Sequence, residues 1–378
     1  MAKTTEKTGK QPVFTRSARI TAASIKSRLV EDVIIDGGLK NGDKMPPVRA
    51  IAERYATNQI TVMRAIAELS GEGILSSEEK RGVFVRNAEK CRKAVAKNAI
   101  IAAILPYTDH ASGYYFNDVV RVIEEKAVKN GLRFIVQNLN WASRDISVYL
   151  EDFITFYRVS GVAVRIPHGY SDPTLFNRAI ARGISVVFLD SEMNGVDAPA
   201  IVVDNKRGGY LAAEHLLQSG HRRIAFLRDS LADSPGRTKI ESDRFDGYRE
   251  ALAKADIPFE NTFDMLLDTP LVKYNGTAIT DRIRNEKITG IFSYNDENAA
   301  QLVSHLNARG IRVPDDVSVI GYDNIAVGGM TLTTIDPHKE RMGAEAASLL
   351  LGESRGKGTI TIAPDLVRRE SVRALGTK

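Results

Sequence analysis

From Ala99 onward the chain alternates short apolar runs with amphipathic stretches, and this alternation constrains the fold more than any other feature. The runs cover 100–105, 133–136, 161–164, 185–189, 201–203, 224–227, 290–293 and 317–320. Between them lie stretches of helical spacing, among them 117–130, 210–218, 244–255 and 297–309. A strand with one wet face alternates apolar and polar residues. These runs are apolar almost throughout, which is the pattern of parallel strands covered on both faces by helices. They are too many for one compact open sheet, so residues 99–375 are predicted to form an α/β domain of two lobes with parallel sheets.

Ligands in such folds bind beyond the carboxyl ends of the strands. Candidate effector contacts are therefore the residues that follow each run. Tyr107 follows the first, Tyr115 and Phe116 open the next helix, and Arg165, Asp190, Asn295 and Asp323 stand at later strand ends. Rings combined with polar groups suit a small hydroxylated ligand, because rings pack on the apolar face of a sugar while polar groups take its hydroxyls. Any one of these residues alone reads more simply as a cap or loop residue. Their recurrence at successive strand ends favours a site.

The first hundred residues have a different texture. A helix over 19–37 carries Ile20, Ile25, Leu29, Val33 and Ile34 on one stripe, and Gly37-Gly38 with Asn41-Gly42-Asp43 ends it. Pro46 and Pro47 start a second helix bearing Ile51 and Tyr55. Asn58 suits the N-cap of a third, whose apolar side is expected to run through Ile60, Met63, Ile66, Ala67 and Leu69. That leaves Gln59, Thr61 and Arg64 to project from an exposed N-terminal side, the geometry with which a recognition helix meets a major groove. Lys80-Arg81 occupies the tip of a following hairpin, where Gly82 permits the turn. The candidate contacts to double-stranded operator DNA are Lys44, Arg49, Asn58, Gln59, Thr61, Arg64, Lys80, Arg81 and Gly82. On spacing alone, a small helical domain with scattered arginines explains the same residues.

Charge separates the two parts. Residues 1–97 hold 19 Lys and Arg against 11 Asp and Glu, whereas the remainder is faintly acidic, within an overall net charge of +5. A basic head on a neutral body suits contact with phosphate, although a tail that is basic for solubility gives the same count. Residues 1–15 read as a disordered basic tail, 16–87 as the winged helix-turn-helix and 88–98 as a linker. One cysteine, Cys91, excludes an intramolecular disulfide, and Met1–Lys10 lacks the apolar core of a secretory signal, so a cytoplasmic location is expected. No apolar run is long enough to span a bilayer, and no membrane partner is expected. No Gly-x-Gly-x-x-Gly, P-loop or Cys/His metal set occurs, so neither a cofactor, a metal nor an enzyme is expected. A solute-binding protein for transport remains a competing reading of the large domain, but it leaves the basic head unexplained.

Two resemblances sharpen this. Pro46, Arg49, Ile51-Ala52, Thr61-Val62, Arg64-Ala65, Glu72-Gly73-Ile74-Leu75 and Gly82-Val83-Phe84-Val85 follow the pattern of the GntR winged helix. The head resembles that family, with two departures: Gln59 and Met63 stand where it often has Arg, so its usual operator does not carry over. Over residues 98–373, Val203-Asp204-Asn205 with Gly208-Gly209-Tyr210, Gly220-His221-Arg222, Arg244-Phe245-Asp246-Gly247-Tyr248, Ser293-Tyr294-Asn295-Asp296 and 311–323 resemble the LacI/GalR effector domain. That resemblance implies a fold like type I periplasmic sugar-binding proteins, with three crossovers between the lobes and a dimer contact on the large domain. It makes Arg244 and Asp323 the main effector contacts, gripping a sugar or sugar derivative between the lobes; an inter-lobe salt bridge is the competing role for the pair. Asp190, Asn295 and Arg165 match further polar contacts. Lys339 stands where the family often has an aromatic wall, which implies an anionic or unusually polar effector. His221 is expected to be structural. A GntR-type head on a LacI/GalR-type body implies a ligand-responsive, homodimeric DNA-binding transcription regulator, with a plain linker in place of the LacI/GalR hinge helix.

Overall fold

A computed structural model describes residues 21–35, 38–90, 100–105, 110–139, 146–157, 159–229, 238–258, 262–267, 277–354 and 356–376. The expected tail, most of the expected linker, Ile20 and Tyr107 lie outside these residues. The chain divides into two units, 1–98 and 99–378.

In the first unit, α1 (Ala22–Arg28) runs on as a wider π-helical turn over Leu29–Ile35. A reciprocal capping box starts it: Ser24 N–H donates to Thr21 Oγ1 and Thr21 N–H donates to Ser24 Oγ. α2 (Val48–Arg54) begins directly after Pro47, and α3 (Gln59–Gly71) begins at the Asn58 cap. Strands β1 (Leu75–Glu78) and β2 (Gly82–Val85) form an antiparallel wing in the register Leu75↔Val85 to Glu78↔Gly82. Ile25, Leu29, Ile34, Ile51, Leu69, Leu75 and Val85 meet in one core.

The buried face of α3 differs from the expected one. Val62, Ala65, Ile66 and Leu69 are buried, while Ile60, Met63 and Ala67 are exposed. Both sets have helical spacing. Only the positions of α1 and α2 decide which faces inward, and the β-branched Val62 with small Ala65 fits that close contact. Ala88 also departs from a plain linker. It is buried with the head's core, and its N–H donates to Asn41 Oδ1 at 2.7 Å.

The second unit holds two six-stranded sheets. The first comprises β3 (Ile100–Leu105), β4 (Arg133–Asn138), β5 (Val159–Val164), β6 (Ser185–Leu189), β7 (Ala200–Val203) and β13 (Thr359–Ile362), in the order β13-β7-β6-β5-β3-β4, all parallel. The second comprises β8 (Ile224–Asp229), β9 (Thr262–Leu267), β10 (Gly290–Ser293), β11 (Ser318–Tyr322), β12 (Thr333–Asp336) and β14 (Asp365–Val367), in the order β14-β12-β11-β10-β8-β9. Only β14 is antiparallel to its neighbour.

Each sheet is buried on both faces because its residues alternate between two cores. In β3, Ile101, Ala103 and Leu105 enter one core and Ala102 and Ile104 the other. In β8, Ala225 and Leu227 oppose Ile224 and Phe226 in the same way. Helices α4 (His110–Lys129), α5 (Ser147–Asp152), α6 (Thr174–Ala181) and α11 (Lys339–Leu350) cover the first sheet, with Met342 and Ala346 of α11 in its core. Helices α7 (Asn205–Gln218), α8 (Lys239–Lys254), α9 (Thr277–Asn285) and α10 (Asp296–Asn307) cover the second. The chain therefore crosses between lobes three times, after β7, after β12 and after β13. His221 is buried, with Nδ1 3.0 Å from Thr289 Oγ1 and Nε2 3.2 Å from the Arg373 carbonyl oxygen. Burial pushes its pKa down to about 4, so it packs as a neutral ring.

Candidate effector cleft and DNA-binding face

The cleft is built where the carboxyl ends of the two sheets meet. Its anchor is Arg244, on α8. Helices α7 and α8 approach so closely that a Cβ on Gly209 would lie 1.9 Å from the Arg244 carbonyl oxygen, and one on Gly247 1.9 Å from that of Lys206. Only glycine tolerates this contact, and it sets Arg244 beside the start of α7. Arg244 Nε donates to Asn205 Oδ1 at 2.9 Å, Nη1 to the Tyr294 carbonyl oxygen at 2.6 Å and Nη2 to Asp323 Oδ1 at 3.2 Å. The guanidinium also stacks 3.4 Å above the centre of the Tyr322 ring. Burial opposes its charge, but the Asp323 carboxylate and the surrounding tyrosines hold it protonated, above the ordinary range.

Asp323 follows β11 and has φ 103°, outside the regions open to most side chains. Such a conformation costs on the order of 1–3 kcal/mol and is held by its surroundings. Here Asp323 N–H donates to the Ile335 carbonyl oxygen at 2.9 Å, extending the sheet by one residue. Burial raises the Asp323 carboxyl to about 6, against the pull of Arg244 and Lys339. Both Arg244 and Asp323 belong to the second lobe. Their ion pair lies within that lobe, which corrects the competing reading of an inter-lobe salt bridge.

The first lobe contributes Tyr115, Arg165 and Asp190. Asp190 follows β6 with φ 47°, and Arg165 Nη1 donates to its carbonyl oxygen. The Tyr115 hydroxyl is buried and makes no hydrogen bond of good geometry. Burial, then the carboxylates of Asp190 and Asp323, push it well above the usual phenol range. Tyr322 is a second buried phenol without a hydrogen-bond partner. Tyr115 and Asp190 of one lobe thus lie within electrostatic reach of Arg244 and Asp323 of the other.

Three expected contacts have other work. Phe116 is buried in the first lobe's core and meets Tyr115 edge-on at 4.9 Å, so it supports that ring from behind. Asn295 caps α10, its Oδ1 accepting from Asn298 N–H at 2.8 Å. Lys339 Nζ donates to the Asp323 and Asn324 carbonyl oxygens at 2.6 and 3.2 Å and lies 3.6 Å from Asp118. A lysine so occupied ties the α11 crossover to α4, and it gives no ground for an anionic effector. Asn205, Tyr294 and Tyr322 border Arg244 but were absent from the sequence candidates, although each lies in a motif noted there. Asp296 was also missed. It is fully buried, accepts from Thr334 Oγ1 at 2.7 Å and Ile325 N–H at 2.8 Å, and is raised to about 7 by burial and then by Asp323.

In the head, Asn58 Oδ1 accepts from both the Thr61 N–H at 2.8 Å and the Thr61 hydroxyl at 3.0 Å. Both side chains are thus engaged in the cap, with Thr61 half-buried, while Gln59 and Arg64 are exposed. Arg49 pairs with Glu53 at 3.0 Å on the open side of α2. At the wing, Lys80 takes the left-handed conformation, φ 61°, and Gly82 has φ 115°. A Cβ on Gly82 would lie 2.8 Å from Lys44 Cε, because Lys44 bridges to Phe84 along the wing's edge. Lys44 and Arg81 both lie over the Phe84 ring, at 6.0 and 5.8 Å, and Arg81 also pairs with Glu78 at 2.6 Å. The basic groups of the wing are thereby held on a short rigid hairpin. No described helix is long and apolar enough to cross a membrane.

Comparison with known proteins agrees with both halves of this geometry. Residues 21–85 match the family of bacterial regulatory proteins of the gntR type, and residues 213–372 match the periplasmic binding protein-like domain. The arabinose metabolism transcriptional repressor of Geobacillus stearothermophilus is 28% identical, over 90% of this chain and 95% of its own. The transcriptional repressor PurR of Mannheimia succiniciproducens is 30% identical, over 69% of this chain and 78% of its own. A LacI family transcriptional regulator of Enterococcus faecium, solved with bound ribose, is 26% identical with a TM-score of 0.59, covering 73% of this chain and all of that one. These relatives are regulators and not enzymes. The chain belongs to the effector-responsive transcriptional repressors whose regulatory domain is of the LacI, periplasmic-binding-protein-like type, and it carries that domain behind a GntR-family head.

Proposed function

We propose that the effector is a small neutral sugar or sugar derivative, bound between Arg244 and Asp323 of one lobe and Asp190, Arg165 and Tyr115 of the other. The observation that carries this reading is the buried Tyr115 hydroxyl, which makes no hydrogen bond of good geometry yet lies within the influence of Asp190 and of the Arg244–Asp323 ion pair. A buried polar group without a partner is costly. A polyol supplies both donors and acceptors to such groups, whereas an apolar ligand supplies neither. Arg244 offers a planar fork of donors, Asp323 and Asp190 accept from hydroxyls, and the rings cover the sugar's apolar face. The sugar in the Enterococcus regulator is consistent with this chemistry.

The repressor acts as a homodimer in the cytoplasm, on a two-fold operator read by two heads. Arg64 and Gln59 reach base edges, while Arg49, Lys44, Lys80 and Arg81 hold the phosphate backbone. The effector alters operator binding by favouring one lobe arrangement over another, which requires unequal affinity for the two.

A thermal-shift screen of the full chain with sugars, sugar acids and sugar phosphates tests the effector class. A ligand at 100 times its Kd adds about 2.7 kcal/mol of stability. A response confined to acids or phosphates would overturn the neutral-polyol reading. Sedimentation of the full chain at micromolar concentration tests the dimer, and a strict monomer would overturn it.

A further inference from the structure

The pole of α3 that faces away from the head's core is largely apolar. At about 100° per residue, Val62, Ala65, Ile66 and Leu69 gather on one side of the helix. Ile60, Arg64 and Ala67 stand opposite them, with Met63 alongside. Ile60 is 61% exposed and Met63 53% exposed. No other large apolar side chain is exposed among the described residues of the head. The core does not need either residue, since Val62 and Leu69 are fully buried without them. Nor does the cap need them, because Asn58 and Thr61 complete it.

We propose that Ile60 and Met63 are specificity-determining residues that read the 5-methyl groups of thymines in the operator's major groove. Three observations select this occupant. Both side chains lie in the N-terminal half of the helix, the part that a helix-turn-helix head presents to base edges. They flank Arg64, a donor suited to guanine, and lie next to Gln59, which suits adenine. The thymine methyl is the one apolar feature of the major-groove code, and it is read by apolar contact rather than by hydrogen bonds. A second copy of the head is a poorer occupant, because residues 1–97 carry 19 basic against 11 acidic groups and would repel their own copy.

The proposal rests on the head binding duplex DNA, so the test begins there. Full-length protein selects duplexes from a randomised library, and each thymine of the selected half-site is then replaced by deoxyuridine, which removes only the methyl. Wild-type binding should weaken about fourfold at each methyl read, the equivalent of ~0.8 kcal/mol at 1.4 kcal/mol per tenfold. Ile60→Ala and Met63→Ala should each lose that sensitivity at one position, yet still prefer selected over random duplex through Arg64 and Gln59. Both positions are exposed, so unfolding midpoints should match wild type. Wild-type indifference to deoxyuridine at every position overturns the proposal, as do variants that keep full sensitivity. Variants that change the association state of free protein, with deoxyuridine sensitivity intact, overturn it in favour of a protein partner. Failure to enrich any duplex would overturn the DNA-binding reading beneath it.

Discussion

The candidate effector cleft and the candidate DNA-binding face both carry arginine, in opposite surroundings. Arg244 is 5% exposed and has three hydrogen-bond acceptors and a ring stacked on it. The Arg49 side chain is 81% exposed and meets Glu53 in open water. A buried charge interacts strongly with everything around it and is ruinous when left alone. An exposed charge is screened and contributes little by itself. The cleft therefore concentrates its energy in a few coupled residues, whereas the DNA face spreads its energy over many independent ones. Specificity for a small molecule needs the first arrangement, and salt-sensitive binding to a polyanion needs the second.

The largest effect that would sharpen this contrast is in the cleft. Arg244→Ala leaves Asp323 buried beside a lost cation and should cost about 3–5 kcal/mol in urea unfolding. Adding Asp323→Ala should recover part of that loss. A double variant that merely adds the two single losses would show that the pair is not coupled.

Gly209→Ala should come next. Its methyl meets the Arg244 backbone, and overpacking of this kind costs about 1–3 kcal/mol, at times more. Calorimetric titration should show weaker effector binding as well, because α8 must shift. A variant with unchanged effector affinity would separate the helix contact from the site.

The buried carboxyls predict an unusual pH dependence. Asp323 is raised to about 6 and Asp296 to about 7, from an ordinary value of 3.8. Between these limits the folded protein keeps protons that the unfolded chain has released. Their contribution to stability is complete below about pH 4 and is lost as pH rises through 6 and 7, at up to about 1.4 kcal/mol per pH unit and group. Asp296→Asn should flatten the melting-temperature profile between pH 5 and 7. A profile identical to wild type would refute the assignment.

The head should give the smallest effects. Arg49→Ala should weaken selected and random duplexes alike and reduce the salt slope by about one. Gln59→Ala should relax base preference at one position per half-site. If both variants act alike on both kinds of DNA, the division between phosphate and base contacts is wrong.

Much of this was legible in residue order. Runs such as 185–189 announce strands buried on both faces, because the short apolar stretch Val186–Leu189 follows a glycine turn at Gly183 and is rich in β-branched and aromatic residues. Asn58 announces a cap, and the glycines at 208, 209 and 247 stand within recognisable motifs. The edge strands β9, β13 and β14, and β12 beside β14, were not among the predicted runs. They carry polar residues such as Asp264, Thr334 and Asp365, so the apolar run is broken there.

Chemistry at the site was only partly legible. Sequence determined the two-part architecture, the basic head and the set of polar residues at strand ends, because local periodicity and charge are properties of neighbours in the chain. Only the tertiary structure decided which of them act together. It paired Arg244 with Asp323 inside one lobe, 79 residues apart. It spent Asn295 and Lys339 on a cap and a crossover, put Phe116 behind Tyr115, and turned Ile60 and Met63 of α3 away from the core. Each outcome depends on which surfaces are closed to water, and burial of that kind is fixed by packing between distant segments.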